Sequence, residues 1–302
     1  MASFDALRAF GATAPPTFVV SHQMNRLSVL ADIAGRAMLS TVGSPKTVAG
    51  VVALDTVNIA SARNEVAGIP KWGKCAYQHA EHIVDFLASQ AVSVAVVSVD
   101  RETDEWKAFE SDATTLQDAI VLTSKKVAGW AKVPNVLKFI LLGSGCAAAT
   151  GHALGIDKRP RILNARGQHM IECSVICDQE IEGTENLEVF KSFWSNQRIP
   201  KSRLAAFNID MRTSDVVVTT EQAEPALLLA DYVAGLGLAA TLPSPGKLPL
   251  PLSQEQALFL LQKIKDKGKL ALVEEKFKYS YNEIFGEAME IAKEFGDARI
   301  GT

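Results

Sequence analysis

The sequence predicts an α/β fold whose sheet is mixed and flanked by helices. Two valine-rich runs, Thr47–Leu54 and Val92–Val99, have the nearly continuous apolar character of buried strands. Gln78–Ser89 lies between them and places its apolar residues at helical spacing, which is typical of an amphipathic helix. Further strand and helix patterns alternate irregularly, and this irregularity favours a mixed sheet over a wholly parallel one.

The N-terminal region is predicted to contain two helices separated by a strand. Residues 1–16 indicate a short helix that ends at the Pro15-Pro16 pair, because a residue before proline disfavours the helical conformation. Thr17–Ser21 is predicted to be a strand, and Arg26–Leu39 has helical periodicity. The sheet is therefore expected to begin with Thr17–Ser21.

The central region is predicted to alternate between helices and strands that end in aspartate. Helical patterns run to about Gly129 and again over Pro134–Leu154. They are followed by a strand over Met170–Cys177 that ends at Asp178, a helix over Leu187–Asn196, a strand over Leu204–Ile209 that ends at Asp210, and a short strand over Val216–Val218.

A change in composition divides the chain near residue 243. Residues 1–242 are predicted to form the α/β domain, and residues 243–252 are proline-rich, which predicts a stiff linker. Ser253 and Gln256 then have the spacing of a capping box at the start of a helix. The remaining residues, 253–302, are predicted to be a charged helical extension with helices over Gln254–Lys267 and Val273–Phe295.

The composition is that of an ordinary soluble globular protein. The 302 residues are 48% hydrophobic and 22% charged; a net charge of −3 argues against a strongly basic surface but leaves a local basic groove open. The four cysteines are scattered, which favours reduced thiols over a disulfide framework. No signal-peptide pattern begins the sequence, and glycines interrupt the uncharged run Phe139–Ile156, so we expect a cytoplasmic protein without a membrane span.

Asp231 is the residue that its apolar surroundings single out. It is the only charged residue in Ala226–Leu242, and at helical spacing its neighbours are leucine, alanine and glycine. An unpaired buried carboxylate costs several kcal/mol or stays protonated. A cation, a metal ion or backbone donors must compensate it, and a structural aspartate bonded to a loop or an arginine is as compatible with the pattern as a functional one.

Aspartates that end predicted strands are candidate partners of Asp231. Aspartate is a good turn and N-cap residue after a strand, and this structural preference explains most such positions. Two or three carboxylates that converge from strand ends and a helix would instead bind Mg²⁺ or Mn²⁺ and support phosphodiester hydrolysis. The strand-ending aspartates are Asp55, Asp100, Asp178 and Asp210.

Two further motifs allow both a functional and a structural interpretation. Lys71-Trp72-Gly73-Lys74 places two cations beside an aromatic ring that would stack on a nucleic-acid base, although a tryptophan packed on the domain is the simpler explanation. Gly143–Ala148 matches the Gly-x-Gly-x-x-Ala pattern of dinucleotide sites. It lacks the acidic residue about twenty positions on that the fingerprint requires, and close helix packing explains the small residues as well.

The region around Asp231 resembles a known family. Ser214-Asp215, followed by Leu227–Gly235, resembles the C-terminal signature of the mostly bacterial domain of unknown function 3800, which is assigned a ribonuclease-H-like fold. The family's usual Leu-Gln-Leu-Ala-Asp has Leu228 at the glutamine position here. The valine-rich runs and the Lys71-Trp72 pair occur in the family's order, so that the resemblance extends over roughly Thr17–Leu242.

The resemblance implies metal-binding carboxylates on the first strand, a central strand and the last helix. Asp231 matches the last-helix position, and Asp178 is the best match to the central strand. At the first strand the family has Asp-Glu-Ser-Gly, whereas Phe18–Val20 is followed here by Ser21–Met24 without a carboxylate. Loss of one carboxylate weakens the binding of a hard metal ion, and His22 would be a softer substitute.

Two functional hypotheses follow, beside the weaker nucleotide-binding one. The first is a metal-dependent nuclease in which Asp178 and Asp231 bind Mg²⁺ or Mn²⁺, with Asp210 or Asp215 as an auxiliary acid. The second is a catalytically inactive relative that binds a protein or a nucleic acid, with the C-terminal helices as its contact surface. A homo-oligomer is compatible with both. The residues expected to contact nucleic acid are Lys71, Trp72 and Lys74.

Overall fold

Six strands and six helices are described in the computed structural model. The described residues are 26–34, 46–124, 132–156, 167, 169–178, 209–241 and 250–276. The strands are β1 (Arg26–Ala34), β2 (Lys46–Asp55), β3 (Ser93–Asp100), β4 (His169–Asp178), β5 (Ile209–Thr219) and β6 (Leu270–Glu274). The helices are α1 (Ile59–Glu65), α2 (Tyr77–Gln90), α3 (Asp104–Ser124), α4 (Val133–Ile156), α5 (Leu228–Thr241) and α6 (Gln254–Asp266).

The strands form one mixed sheet in the order β5-β4-β1-β2-β3-β6. β2 lies between β1 and β3 and is antiparallel to both. On its other side β1 pairs in parallel with β4, and β4 pairs in parallel with β5. β6 completes the opposite edge by pairing in parallel with β3. The predicted α/β class with a mixed sheet flanked by helices is therefore confirmed.

Helices cover both faces of the sheet. α3 and α4 share one apolar cluster with strand residues such as Val29 and Val51. α2, α5 and α6 share the other cluster with residues such as Leu30 and Val52, which point the opposite way. Because both faces are buried, β1, β2 and β3 are apolar almost throughout and do not alternate between apolar and polar residues.

Two glycines let α5 lie close against the sheet. A Cβ built at Gly50 of β2 would come within 2.6 Å of the Ala230 carbonyl oxygen and closer still to the backbone of Ala234. A Cβ at Gly237 of α5 would lie 2.5 Å from a methyl group of Val96 in β3. The helix axis is therefore nearer to the sheet than ordinary side chains allow, and the first turn of α5 lies directly over β2.

α4 is a core helix. By length and composition it is the one helix in the described part of the chain that would suffice to cross a membrane, yet 78% of its apolar window is buried inside the protein. It packs on β2 and β3, where Gly145 faces Val51. Because Gly143 and Gly145 lie inside this helix, no strand-to-helix phosphate loop exists there, and the dinucleotide interpretation of Gly143–Ala148 is wrong.

Several predicted elements are confirmed to within a few residues. They are the strands over Thr47–Leu54, Val92–Val99 and Met170–Cys177, and the helices over Gln78–Ser89, Pro134–Leu154 and Gln254–Lys267. The capping box is also present: Ser253 Oγ accepts the Gln256 N–H, and Gln256 Oε1 accepts the Ser253 N–H. These elements have either strong periodicity or a clear terminal signal, which are the features that local sequence carries best.

The helix predicted over Arg26–Leu39 is wrong, because Arg26–Ala34 forms β1 near the centre of the sheet. Leu27–Ile33 is buried on both faces, so its apolar residues follow one another without the alternation that marks a half-buried strand. Such a run is compatible with a helical period, and only its partners β2 and β4 decide the matter.

The sequence predicts a wholly helical C-terminal region, but this region also contains a strand. Leu270–Glu274 forms β6 and residues 275–276 are not helical, so the helix predicted to begin at Val273 is wrong over its first four residues. Glu275 follows the strand into the core, where it is 4% exposed and accepts a hydrogen bond of 2.9 Å from Ser144 Oγ. α6 and β6 therefore extend the same sheet and core, while a domain division at residues 243–252 stays a prediction.

Some predicted elements lie outside the described residues. They are the helix over residues 1–16, the strand over Thr17–Ser21 with His22, the helix over Leu187–Asn196, most of the strand over Leu204–Ile209, most of the linker, and the helix beyond residue 276.

Candidate functional site

Three aspartates from three elements lie on the α5 side of the sheet, at the end where β1 and β4 finish. The first is Asp32 of β1, a carboxylate that is 6% exposed in an otherwise apolar strand. One of its oxygens, Oδ1, accepts the Ile33 N–H at 2.7 Å. Leu30, two residues earlier, belongs to the apolar cluster of α5, so the Asp32 side chain points to the α5 face of the sheet.

Asp178, the last residue of β4, lies beside Asp32. Ala31 pairs with Cys177 in the parallel register of β1 and β4, and Asp32 and Asp178 are the next residue on each strand. Ala31 and Cys177 face the α4 cluster, so both aspartates face the opposite side, towards α5. The carboxyl ends of these two parallel strands therefore present adjacent carboxylates on one face.

Asp231 lies in the first turn of α5 above these strands. On β2, Gly50 stands opposite Asp32, and the α5 backbone at Ala230 and Ala234 packs on that glycine. Asp231 follows Ala230 directly, and the same helix also contacts β1, the strand that carries Asp32. Its Oδ2 atom accepts the Trp72 backbone N–H at 2.8 Å.

The surroundings make the charge of Asp231 costly. Burial raises the pKa of its carboxyl to about 6, and the nearby negative charges of Glu221 and Asp178 act in the same direction. The Trp72 N–H and the charge of Lys71 oppose this rise and lower the pKa. A carboxyl with these neighbours gains its proton near pH 6, well above the ordinary range of an aspartate, unless a cation binds to it.

Trp72, whose N–H binds Asp231, is itself buried beside α5. Its side chain is 6% exposed, packs edge-on against Tyr232 with ring centroids 5.7 Å apart, and lies against Gly235 of α5. Tyr232 in turn donates its hydroxyl hydrogen to the Pro70 carbonyl oxygen at 2.7 Å. The ring is enclosed in the core and has no free face for a base, so the structural interpretation of Trp72 is the one observed.

The two lysines that flank Trp72 differ. Lys71 Nζ lies 2.6 Å from Glu221 Oε1, and the Lys71 side chain is 63% exposed. The negative charges of Asp178 and Asp231 also act on Lys71. Lys74 is exposed, and no ion pair is found for it among the described residues. Both cations are open to a ligand, but only Lys71 is placed beside the carboxylates.

Asp210 lies far from the other candidates. β5 begins at Ile209, and Asp210 pairs with Met170 at the start of β4. Asp178 pairs with Thr219 at the other end of the same strands, about 26 Å away at the ordinary rise of a strand. The prediction that Asp210 ends a strand and joins Asp178 is therefore wrong. Asp215 pairs with Ser174 in the middle of β5 and does not end a strand.

Asp32 is the residue that the sequence reasoning missed. It interrupts the apolar run Leu27–Ala34 in the same way as Asp231 interrupts its own helix. The first strand was expected over Thr17–Ser21, and from there the chain seemed to lack a first-strand carboxylate. An isolated acid within an apolar run was the signal that would have found it.

The donor chemistry of the three aspartates fits a hard divalent cation, since carboxylate oxygens are its preferred ligands. Their side-chain oxygens are not gathered into a ligand set: no group of three or more His, Cys, Asp or Glu residues in the described part of the chain is arranged to hold a metal ion. Asp231 is instead oriented by Trp72.

No family model matches the chain. A search of curated proteins gave no match either.

Two large apolar side chains of α6, the last helix in the described part of the chain, are exposed. Leu258 and Phe259 of α6 are 50% and 57% exposed. Phe259 also borders an open depression of about 440 Å³ together with Tyr77, Glu255 and Gln256. Exposed neighbouring apolar side chains are more informative than single ones, because they mark a surface that water solvates poorly.

Proposed function

We propose that the protein is a metal-dependent phosphodiesterase that acts on nucleic acid, with Asp32, Asp178 and Asp231 as the carboxylates that bind Mg²⁺ or Mn²⁺. The observation that carries the proposal is the placement of these residues on one face, at one end of β1 and β4 and under the first turn of α5. The charge of Asp231 is costly to the fold without a cation, because burial favours its neutral form and the charge of Asp178 acts in the same direction.

The ribonuclease-H-like form of the sheet belongs to the same proposal. The resemblance implies acids on the first strand, a central strand and the last helix, and Asp32, Asp178 and Asp231 lie on β1, β4 and α5. Asp32 also takes the place of the acid that seemed to be missing. Asp32 and Gly35 have the spacing of the first and last residues in the family's Asp-Glu-Ser-Gly. These positions support the resemblance beyond the Asp231 helix.

The chain's own residues would divide the work as follows. Asp32 and Asp178 supply oxygens from rigid strand ends, and Asp231 would turn from Trp72 to complete the set. A bound Mg²⁺ or Mn²⁺ would supply a positioned water molecule and stabilise the leaving oxygen. Lys74 is exposed three residues after Lys71, outside the acid group, and would contact a phosphate of the nucleic-acid backbone. The buried Trp72 and Gly235 hold α5 in place and do not touch substrate.

A non-catalytic binding module is the second candidate. Two observations favour it: the 2.8 Å bond from Trp72 gives Asp231 a structural role, and Leu258 with Phe259 exposes an apolar surface on α6. In this case the acids would remain as hydrogen-bond acceptors, and the partner would cover the outer side of α6.

Calorimetric titration with Mn²⁺ tests the proposal. We expect saturable binding to the wild type and its loss in Asp32→Asn, Asp178→Asn and Asp231→Asn. Asp55→Asn is the matched control, because Asp55 ends β2 beside Leu27, at the opposite end of β1 and on the other face. Binding that survives all three substitutions, or no binding to folded wild type, would exclude the metal site and leave the binding module.

Hydrolysis is then measured on single- and double-stranded DNA and RNA oligonucleotides with Mn²⁺ or with a chelator. We expect cleavage of at least one substrate class by the wild type and Asp55→Asn, and none by the three site variants. Metal binding without cleavage of any of these substrates would make the site a structural or regulatory one.

A further inference from the structure

Lys71 is already placed as a cation among the acids. Its Nζ atom lies 2.6 Å from Glu221 Oε1, and Glu221 follows β5, two residues after the Thr219 that pairs with Asp178. Lys71 also precedes Trp72, whose N–H is bonded to Asp231. Lys71 is therefore joined by its side chain to the segment after β5, next to the end of β4 that carries Asp178, and it directly precedes the residue whose N–H binds Asp231.

The charges act on one another in both directions. The hydrogen bond to Glu221 raises the pKa of Lys71, and the negative charges of Asp178 and Asp231 raise it further, against the effect of burial. Lys71 in turn lowers the pKa of Asp231. Lys71 is the described cation that acts on both of these acids.

We propose that Lys71 is a built-in competitor of the divalent cation, which partly neutralises the acids when no metal is bound and must move away when one binds. This inference rests on the proposed metal site. The Lys71 side chain is 63% exposed, so it can move into solvent, and its departure leaves Glu221, whose side chain is 12% exposed, without this ion pair. By lowering the affinity in this way, Lys71 would prevent the site from being permanently occupied by Mg²⁺.

The physical reason is repulsion between like charges. An ammonium group a few ångströms from a bound divalent cation raises the free energy of the bound state. At an exposed position this effect is moderate, because solvent and salt screen the repulsion. The antagonism is reciprocal, so the bound cation also weakens the hold of the site on Lys71. The displaced ammonium group is then free for a phosphate oxygen of the substrate.

Mn²⁺ titrations of Lys71→Met test the proposal. Methionine keeps an unbranched side chain but removes the charge. We expect about three- to tenfold tighter Mn²⁺ binding than in the wild type at low ionic strength, and a smaller ratio at high salt. Lys71→Arg, which keeps the charge, should bind as the wild type does. Lys74→Met is the matched control, because it removes a neighbouring charge that is exposed and outside the acid group.

The outcomes separate this proposal from the metal site itself. Tighter binding in Lys71→Met but not in Lys74→Met supports the competition. Equal or weaker binding in Lys71→Met overturns the competition while the metal site stands. Equal tightening by both lysine substitutions also overturns it, because a general change in net charge would suffice. The absence of binding in every variant overturns both proposals.

Discussion

The indole of Trp72 lies against Gly235, where a Cβ on the helix would overlap three atoms of the ring. The contact explains why an aromatic residue from a short loop can enter the core beside α5. It also positions the Trp72 N–H that holds Asp231. Gly235 therefore contributes to the position of Asp231 indirectly, by making room for Trp72.

Replacing Gly235 by alanine should destabilise the protein by about 1–3 kcal/mol, the usual cost of overpacking a core. The ring must shift, because its rigid atoms leave the new methyl group no room. Gly73→Ala is the control, since nothing lies within 4 Å of a Cβ there. Urea unfolding of both variants measures the effect, and equal stabilities would show that the Trp72 contact is loose.

Asp231→Asn should have no stability effect near pH 4 and should stabilise the metal-free protein by up to about 3 kcal/mol at pH 7.5. The folded-state pKa is raised from 3.8 to about 6, so the folded protein holds this proton more tightly than the unfolded chain. Stability is therefore lost as pH rises from about 4 to about 6. Asparagine removes that loss and still accepts the Trp72 N–H. Urea unfolding with a chelator, at both pH values, makes the comparison. A less stable Asp231→Asn at pH 7.5 would mean that the fold needs the charge.

Gly50→Ala should lift α5 from β2 and weaken Mn²⁺ binding as well as stability. Backbone atoms of Ala230 and Ala234 meet the new methyl group, and they cannot move as a side chain can. We expect a cost of about 3 kcal/mol. Gly145→Ala is the control, because its Cβ meets the Val51 side chain on the other face and should lower stability without changing the metal affinity.

If Gly50→Ala does not fold, Gly237→Ala lifts the same helix more gently, against methyl groups of Val96 and Val48. Calorimetry and urea unfolding are the measurements. Equal loss of Mn²⁺ affinity in Gly145→Ala would show that general destabilisation, rather than the position of α5, controls the site.

Arg63→Met should cost about 1–2 kcal/mol at pH 7, a figure reduced for the half-exposed arginine. Arg63 Nε donates to Glu224 Oε1 at 2.9 Å, and this contact lowers the pKa of the buried Glu224. The contribution is present above the ordinary glutamate pKa and is lost as pH falls below it. Arg26→Met is the control, because the Arg26–Glu172 pair is more exposed and should change stability by less than about 0.5 kcal/mol. Equal costs for the two variants in urea unfolding would contradict this ranking.

Asp231 could be found from sequence because a lone charge in an apolar helix needs a compensating partner. The same reasoning applies to Asp32, but it was hidden by the misassigned Arg26–Leu39 segment. A strand buried on both faces has no period of its own, so long-range pairing with β2 and β4 decides its conformation. Local sequence does not carry that information.

The remaining differences have related causes. Asp210 was placed at a strand end because the expected strand stopped there, whereas β5 starts at Ile209 and continues to Thr219. Whether a strand begins or ends at an aspartate depends on its partner's register. β6 has only five residues, and its conformation comes from pairing with β3 rather than from its own composition.

The position of β6 has a consequence for a chain that is still being made on the ribosome. Until residues 270–274 have emerged, the outer edge of β3 at Val94–Ser98 has no strand to pair with. The open edge of a valine-rich strand such as β3 is a template for pairing with another nascent or unfinished chain. The newly synthesised protein should therefore depend most on chaperones just before Leu270 emerges, and a product terminated ahead of that residue would keep the aggregation-prone edge permanently.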